Sequence, residues 1–425
     1  MPLLSAVLLS FAAALGTNGA QVNHVVHVSL DGLGAKYLQF FVTNAPARYT
    51  NFNRLIAEGA STMNARCDYD YSETVPNHVT IFTGRPVTQP SGAPNTVHHG
   101  YNNNFPAAAD TIHNAGNTAV SYKASFFDVA HDFGRSTALY TGKTRLDLCG
   151  RSYSSTNGAL DAIPEAGDNG KGKIDFASIT DTSGANIANE VSLLLQSLTN
   201  ASPRNYSFIH IAEPDLTGHA SGWRSAAYSN IVATIDVQLG RILAAIDANP
   251  LLTNNTALIV TADHGGGGVI ANAHTEAYHI TNHTIPFFIR GPGVPTNSDV
   301  YALFANRGNP GTNRTDYTTV PQPLRNGDSG NIALAMLGLP PITGSFIVPI
   351  FGGTNTPMNM ARALDGSCTM WWPSNATAFV LESAAALTSG EQWQQITNGI
   401  VNNGGMLTFT ASTTNASKFY RLRKL

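Results

Sequence analysis

Residues 24–32 read HVVHVSLDG, a short run rich in Val that ends in Asp31 and Gly32. Such a run predicts a buried β-strand followed by a turn, because Val suits the pleated, covered surface of a sheet. The pattern recurs, with further strands predicted at 118–122, 206–212, 257–262 and 285–289, and helices at 51–59, 185–198, 224–248 and 330–337. Short apolar strands that alternate with helices predict an α/β fold, with a mostly parallel central sheet and helices on both faces.

A change in composition divides the chain near residue 352. Residues 21–352 carry the alternating pattern and form one predicted α/β domain, whereas residues 353–366 are rich in small and polar residues and are typical of a linker. Residues 367–425 consist of short strand-like runs between turns. We expect a small β-rich accessory domain there, and the alternative is an extra sheet layer that packs on the α/β domain.

The overall composition excludes one class of function. Hydrophobic residues make up 43% of the chain, charged residues only 12%, and the formal net charge is −3. Since no run of Lys and Arg stands out, binding to nucleic acid through a basic face is not expected. Low charge with abundant Gly, Ser, Thr and Asn suits an exported protein.

The first twenty residues, MPLLSAVLLSFAAALGTNGA, combine an apolar stretch with small residues at its end. They predict a signal peptide that is cleaved after Ala20, and therefore a secreted or periplasmic protein. A buried first helix is the alternative, because no Lys or Arg precedes the apolar stretch. The stretch is too short for a comfortable membrane span, and no later run resembles one.

Three cysteines occur, Cys67, Cys149 and Cys368. In an oxidising compartment Cys67 and Cys149 could form a disulfide, with Cys368 as the remaining cysteine. Buried free thiols are an equal alternative. No cysteine is assigned a catalytic role.

Three aspartates follow predicted strands. Asp31 comes directly after the first strand, Asp215 lies shortly after the strand at 206–212, and Asp263 follows the strand at 257–262. Functional groups in α/β folds gather at the carboxyl ends of the strands. We therefore expect these three carboxylates to share one site.

Histidines and a hydroxyl accompany the aspartates. His219 lies four residues after Asp215 in EPDLTGH, His264 is adjacent to Asp263 in TADHGGGG, and Thr74 precedes a helix-like run in SETVPNH. Taken singly, these residues suit turns or a helix N-cap. Taken together, Asp, His and one hydroxyl are the ligand types for two Zn²⁺ ions and an attacking oxygen. A Thr hydroxyl attacks at neutral pH only when a metal assists its deprotonation.

A third histidine is needed for the second ion. His274, His279 and His283 all lie between the glycine run and the strand predicted at 285–289. His283 is preferred because it immediately precedes that strand, while His274 and His279 remain alternatives.

Six motifs carry a resemblance to a known family, namely VSLDG, ETVPNHVTIFTGRP, HHGYNNN, EPDLTGHASG, TADHGG and NHTIPFFIRGPG. Between Val25 and Gly352 the chain resembles the alkaline phosphatase superfamily, and within it the type I phosphodiesterases and nucleotide pyrophosphatases. The resemblance implies one zinc ion held by Asp31, Thr74, Asp263 and His264, and a second held by Asp215, His219 and His283. It also implies an Asn that binds a phosphoryl oxygen after the His-Gly pair, and spacing favours Asn104 over Asn102 and Asn103.

Two departures from the family pattern bear on the substrate. The segment between Thr83 and His98 is longer than usual, and Arg85 stands in TGRP, as in sulfatases. The chain lacks the C/S-x-P-x-R motif of sulfatases, so a sulfatase is excluded. Monoester dianions require extra cationic contacts, which Arg85 or Lys123 could supply.

The sequence therefore predicts zinc-dependent hydrolysis of phosphodiester or pyrophosphate bonds through a covalent phospho-threonine at Thr74. The expected substrate is a small-molecule phosphoester, with nucleotides among the candidates. A phosphomonoesterase or phosphonate hydrolase on the same two-metal centre is the first alternative, and a mutase ranks lower. A secreted binding protein with an inactive α/β domain is the non-enzyme alternative.

Overall fold

The computed structural model describes residues 21–162, 170–180 and 187–351, and, towards the C-terminus, 358–362, 367–374, 376–377, 379–385, 392–403, 405–411 and 418–424. The predicted signal peptide lies outside the described residues. Among the described residues, no helix is both long enough and apolar enough to cross a bilayer.

The described elements follow one another as alternating strands and helices before the chain changes to strands alone. The strands are β1 (His24–Leu30), β2 (Ala60–Arg66), β3 (Thr137–Thr141), β4 (Phe176–Ile179), β5 (Tyr206–Ile211), β6 (Thr256–Thr261), β7 (Thr284–Arg290), β8 (Ser298–Asp299), β9 (Asn359–Arg362), β10 (Cys368–Pro373), β11 (Phe379–Ala384), β12 (Gln394–Gln395), β13 (Ile400–Asn403), β14 (Met406–Ala411) and β15 (Phe419–Lys424). The helices are α1 (Ala35–Asn44), α2 (Thr50–Glu58), α3 (Thr74–Thr83), α4 (Ile112–Ala115), α5 (Phe126–Asp132), α6 (Asp147–Ser152), α7 (Ile187–Leu198), α8 (Glu213–Ser221), α9 (Ala226–Ala248), α10 (Ile280–His283) and α11 (Asp328–Met336).

The central sheet has eight strands in the order β4-β3-β5-β1-β6-β7-β2-β8. The five strands from β4 to β6 run parallel, β7 is antiparallel to both β6 and β2, and β8 is parallel to β2. Every residue of β1, β5 and β6 is buried, as expected for strands covered on both faces. The predicted α/β fold with a mostly parallel sheet is confirmed.

One predicted strand is wrong. Residues 118–122 form turns rather than a strand, and β3, which the sequence pattern missed, takes the place beside β5. Asn117 explains the error, because its side-chain oxygen accepts the Ala119 N–H at 3.0 Å and its carbonyl accepts the Val120 N–H at 3.2 Å. An Asn that bonds the backbone two residues ahead stabilises a turn in place of a strand.

The C-terminal strands form two small antiparallel sheets. One contains β13, β14, β10 and β9, and the other contains β12, β11 and β15. Strand β9 lies inside the range that was predicted as a linker, and it pairs with β10. Val348 and Ile350 at the end of the α/β part share a buried cluster with Trp371 and Met406. The β-rich part therefore contacts the α/β part, and its division from that part as a separate domain stays a prediction.

The cysteines Cys67 and Cys149 are buried free thiols. Burial raises the pKa of both thiols well above the ordinary value. The structure thus agrees with the second of the two alternatives for this pair.

Candidate active site

Three neighbouring strands place the three aspartates together. Strand β1 lies between β5 and β6 in the sheet, and Asp31 follows β1 directly. Asp263 lies two residues after β6, and Asp215 lies in the first turn of α8, which follows β5. All three carboxylates are buried. The strand order thus produces the convergence that the sequence predicted.

Gly32 allows these carboxylates to approach one another. Its φ is +69°, in the left-handed region that favours glycine, and a Cβ there would lie 2.9 Å from both Cα and Cβ of Asp215. Its N–H donates to Asp263 Oδ1 at 3.0 Å. Gly32 therefore contacts both Asp215 and Asp263, and it directly follows Asp31 in the chain.

The first group of converging atoms surrounds Thr74, the first residue of α3. Thr74 Oγ1 lies 3.4 Å from Asp31 Oδ1 and 3.5 Å from His264 Nε2. His264 Nε2 is also 3.3 Å from Asp263 Oδ2, a buried oxygen that has no hydrogen-bond partner among the described residues. We call Asp31, Thr74, Asp263 and His264 the threonine group.

The second group consists of Asp215, His219 and His274. Asp215 Oδ1 lies 3.4 Å from Nε2 of each histidine, and the two Nε2 atoms lie 3.1 Å apart. Asp215 Oδ1 is buried, and no described residue forms a hydrogen bond with it. The ligand atoms of this set lie within 4.8 Å of one another, as do those of Asp31, Asp215 and His264. We call Asp215, His219 and His274 the histidine group.

Backbone contacts orient the imidazoles of both groups. The Nδ1 atoms of His264, His219 and His274 bond the carbonyl oxygens of Gly265, Asn272 and Ser72, respectively. A carbonyl only accepts, so each Nδ1 carries the proton and each Nε2 presents a lone pair. Lone pairs that face each other across 3.1 Å repel, and a cation between them removes the repulsion. The arrangement therefore fits a metal ion.

The structure does not bring His283 into either group. Its Nδ1 donates to the Ala277 carbonyl at 3.0 Å, and within the described part of the chain its buried Nε2 has no hydrogen-bond partner. His279 bonds Thr281 at the start of α10. Of the three candidate histidines, His274 is the one beside Asp215, and its ring stacks on that of His264 with centroids 3.9 Å apart.

Burial dominates the titration of these side chains. Burial raises the pKa of Asp263 well above its ordinary value, and the neighbouring Asp31 adds to the rise. Burial also lowers the pKa of His274 to about 3, which keeps the imidazole neutral and able to coordinate. For Asp31 burial acts in the same direction as for Asp263, but the charge of Lys143 holds its pKa well below the ordinary value.

Lys143 is a candidate functional residue that the sequence analysis missed. It follows β3, and its buried Nζ lies 2.8 Å from Asp31 Oδ2, 2.6 Å from Asp215 Oδ2 and 3.4 Å from Thr74 Oγ1. The two cations suggested for this role lie elsewhere. Arg85 donates to the Thr96 carbonyl, and Lys123 donates to the carbonyls of His113 and Val120.

Asn104 lies beside the nucleophile candidate. Its Oδ1 accepts the N–H of Val75 at 2.9 Å, next to Thr74. Asn102 instead bonds the Tyr71 hydroxyl, and Asn103 bonds the backbone of Phe105. Of the three asparagines, Asn104 is the one that contacts the start of α3.

A family model of type I phosphodiesterase / nucleotide pyrophosphatase matches residues 25–327. The chain belongs to this family. It is 27% identical over 245 residues to ectonucleotide pyrophosphatase/phosphodiesterase family member 3 of Rattus norvegicus, and 26% identical over 251 residues to that of Mus musculus. These matches cover 57% and 58% of this chain but only 24% and 25% of the relatives, so the chain spans about a quarter of their length.

A shorter match covers 20% of this chain. It is 34% identical over 89 residues to 2,3-bisphosphoglycerate-independent phosphoglycerate mutase of Rhodopseudomonas palustris, of which it covers 16%. Among solved structures, an inactive variant of murine ectonucleotide pyrophosphatase/phosphodiesterase 5 in complex with AMP aligns at 12% identity and a TM-score of 0.47, covering 76% of this chain and 96% of that chain. A putative sulfatase from Bacteroides thetaiotaomicron aligns at the same identity and TM-score, covering 88% and 85%.

The family match includes both groups of candidate ligands, Lys143 and Asn104. It ends at residue 327, so strands β9–β15 lie beyond it. The predicted family is confirmed, and the β-rich part lies outside the segment that the family model matches.

Proposed function

We propose that this member of the type I phosphodiesterase / nucleotide pyrophosphatase family hydrolyses phosphodiester or pyrophosphate bonds in small molecules. The observation that carries the proposal is the position of Thr74 Oγ1, within 3.5 Å of ligand atoms of Asp31 and His264 and beside the histidine group. The names of the curated relatives support nucleotides as a substrate class.

Two Zn²⁺ ions fit the two groups. Among the described residues, neither Asp263 Oδ2 nor Asp215 Oδ1 has a hydrogen-bond partner. A bound cation would give each of these buried oxygens a partner. Asp31, Thr74, Asp263 and His264 would hold one ion, and Asp215, His219 and His274 the other, with His274 in place of His283. Carboxylate and imidazole are ligands that zinc accepts, and bound zinc supplies positive charge for the attacking and leaving oxygens.

Thr74 is the proposed nucleophile. Its hydroxyl gives up a proton to water, and Oγ1 attacks phosphorus as the bond from phosphorus to the leaving oxygen breaks. The leaving oxygen takes the electron pair and then a proton from water. A water molecule next attacks phosphorus, the bond from phosphorus to Oγ1 breaks, and Thr74 regains its proton.

The start of helix α3 supports the transferred group. Thr74 is its first residue, and the partial positive charge at a helix N-terminus favours an anion there. Because Asn104 Oδ1 accepts from Val75, its amide nitrogen is oriented as a donor for a phosphoryl oxygen. Both effects stabilise the oxygens that carry charge in the transition state.

Replacing the hydroxyl tests the proposal. We expect Thr74→Ala to lower kcat for bis(4-nitrophenyl) phosphate by about a thousandfold or more, as loss of a nucleophile does in other hydrolases. Thr74→Ser, which keeps a hydroxyl, is the matched control and should retain most of the activity. Zinc content, measured by mass spectrometry, should stay near two per chain in both variants. Turnover by Thr74→Ala at the wild-type rate would rule out the role of Thr74.

A further inference from the structure

Lys143 occupies an unusual position for a lysine. Its side chain is buried between Asp31 and Asp215, one carboxylate from each candidate metal group. An ammonium has three N–H donors. Two of them serve Asp31 Oδ2 and Asp215 Oδ2, and the third faces Thr74 Oγ1 at 3.4 Å.

The ammonium does not compete for the coordinating oxygens. Asp31 faces Thr74 and His264 through Oδ1, and Asp215 faces its two histidines through Oδ1 as well. Lys143 contacts the other oxygen, Oδ2, of both carboxylates. Its charge can therefore remain beside the nucleophile when both groups hold their ions.

A fixed charge at this point affects the choice of substrate. A phosphodiester carries one negative charge on its phosphoryl group, whereas a phosphomonoester carries nearly two at neutral pH, because its second pKa is about 6. Among the Lys and Arg side chains of the described residues, that of Lys143 is the one that lies within hydrogen-bonding distance of Thr74 Oγ1. Arg85 and Lys123 donate to backbone carbonyls elsewhere.

We propose that Lys143 adapts this site to phosphoryl groups that carry two negative charges, so that phosphomonoesters belong to its substrate class. This inference rests on the proposed hydrolysis through Thr74. Lys143 Nζ donates to an equatorial oxygen of the phosphoryl group while the bond to Thr74 Oγ1 forms and the bond to the leaving alcohol breaks. Attack by water then releases inorganic phosphate and restores the Thr74 hydroxyl.

The test compares two substrates across two variants. Lys143→Gln keeps N–H donors for the carboxylates but removes the charge, and Lys143→Arg keeps the charge. The measured quantity is the ratio of kcat/KM for 4-nitrophenyl phosphate to that for bis(4-nitrophenyl) phosphate. We expect Lys143→Gln to lower this ratio at least tenfold, and Lys143→Arg to lower it by less than threefold.

A binding measurement complements the kinetics. Calorimetry with inorganic phosphate on the zinc-loaded proteins should give a Kd that is at least tenfold weaker for Lys143→Gln than for the wild type. Zinc content, measured on the same samples, identifies a variant that has lost its ions, and Lys143→Met then replaces it in the comparison.

The outcomes separate this inference from the proposed function. Wild-type protein that cleaves the diester, with a ratio and a phosphate Kd unchanged by Lys143→Gln, overturns the inference alone. Wild-type protein that cleaves neither substrate while holding two zinc ions overturns the proposed function.

Discussion

At the scale of single residues, the path of the chain after β6 decides which histidine joins Asp215. Gly267 has a φ of +67°, and its N–H donates to the Ala273 carbonyl at 2.9 Å. This contact turns the segment back over the site and brings in His274, whose Nδ1 bonds the Ser72 carbonyl. Orientation of an imidazole by a hydrogen bond from its other nitrogen is usual for metal ligands.

Metal content separates the two histidine assignments. We expect His274→Ala to reduce bound zinc from two ions per chain to about one, because it removes one of only three protein ligands in the histidine group. His283→Ala is the matched control, since its ring bonds Ala277 away from both groups, and should retain two ions. Mass spectrometry of the purified proteins measures both, and the opposite pattern would restore His283 as the ligand.

The sequence identified those candidate residues whose position is set by the adjacent strand or helix. Asp31, Asp215 and Asp263 follow strands that their own apolar runs indicate, and Thr74 begins a helix. Lys143 could not be found in this way, because it follows β3, which was not predicted. His274 could not be distinguished from its neighbours, since a turn through consecutive glycines leaves no local pattern in the sequence.

At the scale of elements, helix α7 carries an acid on its buried face. Its buried positions are Ile187, Glu190, Val191, Leu194 and Leu198, the spacing of one helical face. Thr180 donates to Glu190 Oε1 at 2.9 Å, while Oε2 is buried and has no hydrogen-bond partner in the residues that the structure describes. Burial raises the pKa of Glu190 to about 8, with a smaller contribution from Glu213.

The raised pKa predicts a pH-dependent stability. In the unfolded chain Glu190 titrates near its ordinary value of 4.5, so between that pH and about 8 the folded state holds a proton that the unfolded state has lost. The stabilisation of the folded state by protonated Glu190 is fully present below pH 4.5 and is lost as the pH rises to about 8. We expect Glu190→Gln, which is always neutral, to show a smaller fall in Tm between pH 5 and pH 8.

Calorimetry of both proteins across this range measures the effect. Asp70→Asn changes an exposed acid and serves as the matched control, with the wild-type pH dependence. Equal pH dependence in Glu190→Gln and the wild type would show that Glu190 is not protonated in the folded state.

The predicted helices and strands agree with the structure where a pattern is long. Helix α9 (Ala226–Ala248) was expected at 224–248, and β1 has the predicted bounds. Short patterns were less reliable, as the turn after Asn117 shows. Five residues with strand preference form a strand only when neighbouring strands can cover them, and that condition is set by the rest of the fold.

At the scale of the whole molecule, the β-rich part shares a buried apolar cluster with the α/β part. Neighbouring residues of a strand point to opposite faces, and β10 shows the consequence. Trp371 packs with Val348 and Ile350, whereas Trp372 packs with Met370 inside the β-rich part. The two tryptophans therefore report on different contacts.

Trp371→Ala tests this contact. Removal of a buried Trp commonly costs about 3–5 kcal/mol, and here the loss falls on a cluster that both parts share. We expect the calorimetric transition of the α/β part to move to a lower temperature in Trp371→Ala. Trp372→Ala should affect chiefly the β-rich part, and equal effects of the two variants on the α/β transition would contradict the described packing.

The fold class followed from the sequence because alternating strands and helices leave few ways to cover both faces of a sheet. The boundary after residue 352 stays a prediction. Strand β9 lies inside the range that was expected to be a linker, and it pairs with β10.

Gly32 has a consequence for the variation that this part of the chain tolerates. Any side chain at this position would meet Cα and Cβ of Asp215 at 2.9 Å and would hold the backbone in a left-handed conformation that L residues rarely adopt. The separation of Asp215 from Asp263, to which the Gly32 N–H donates, is thus sensitive to one methyl group on a residue that has no functional side chain.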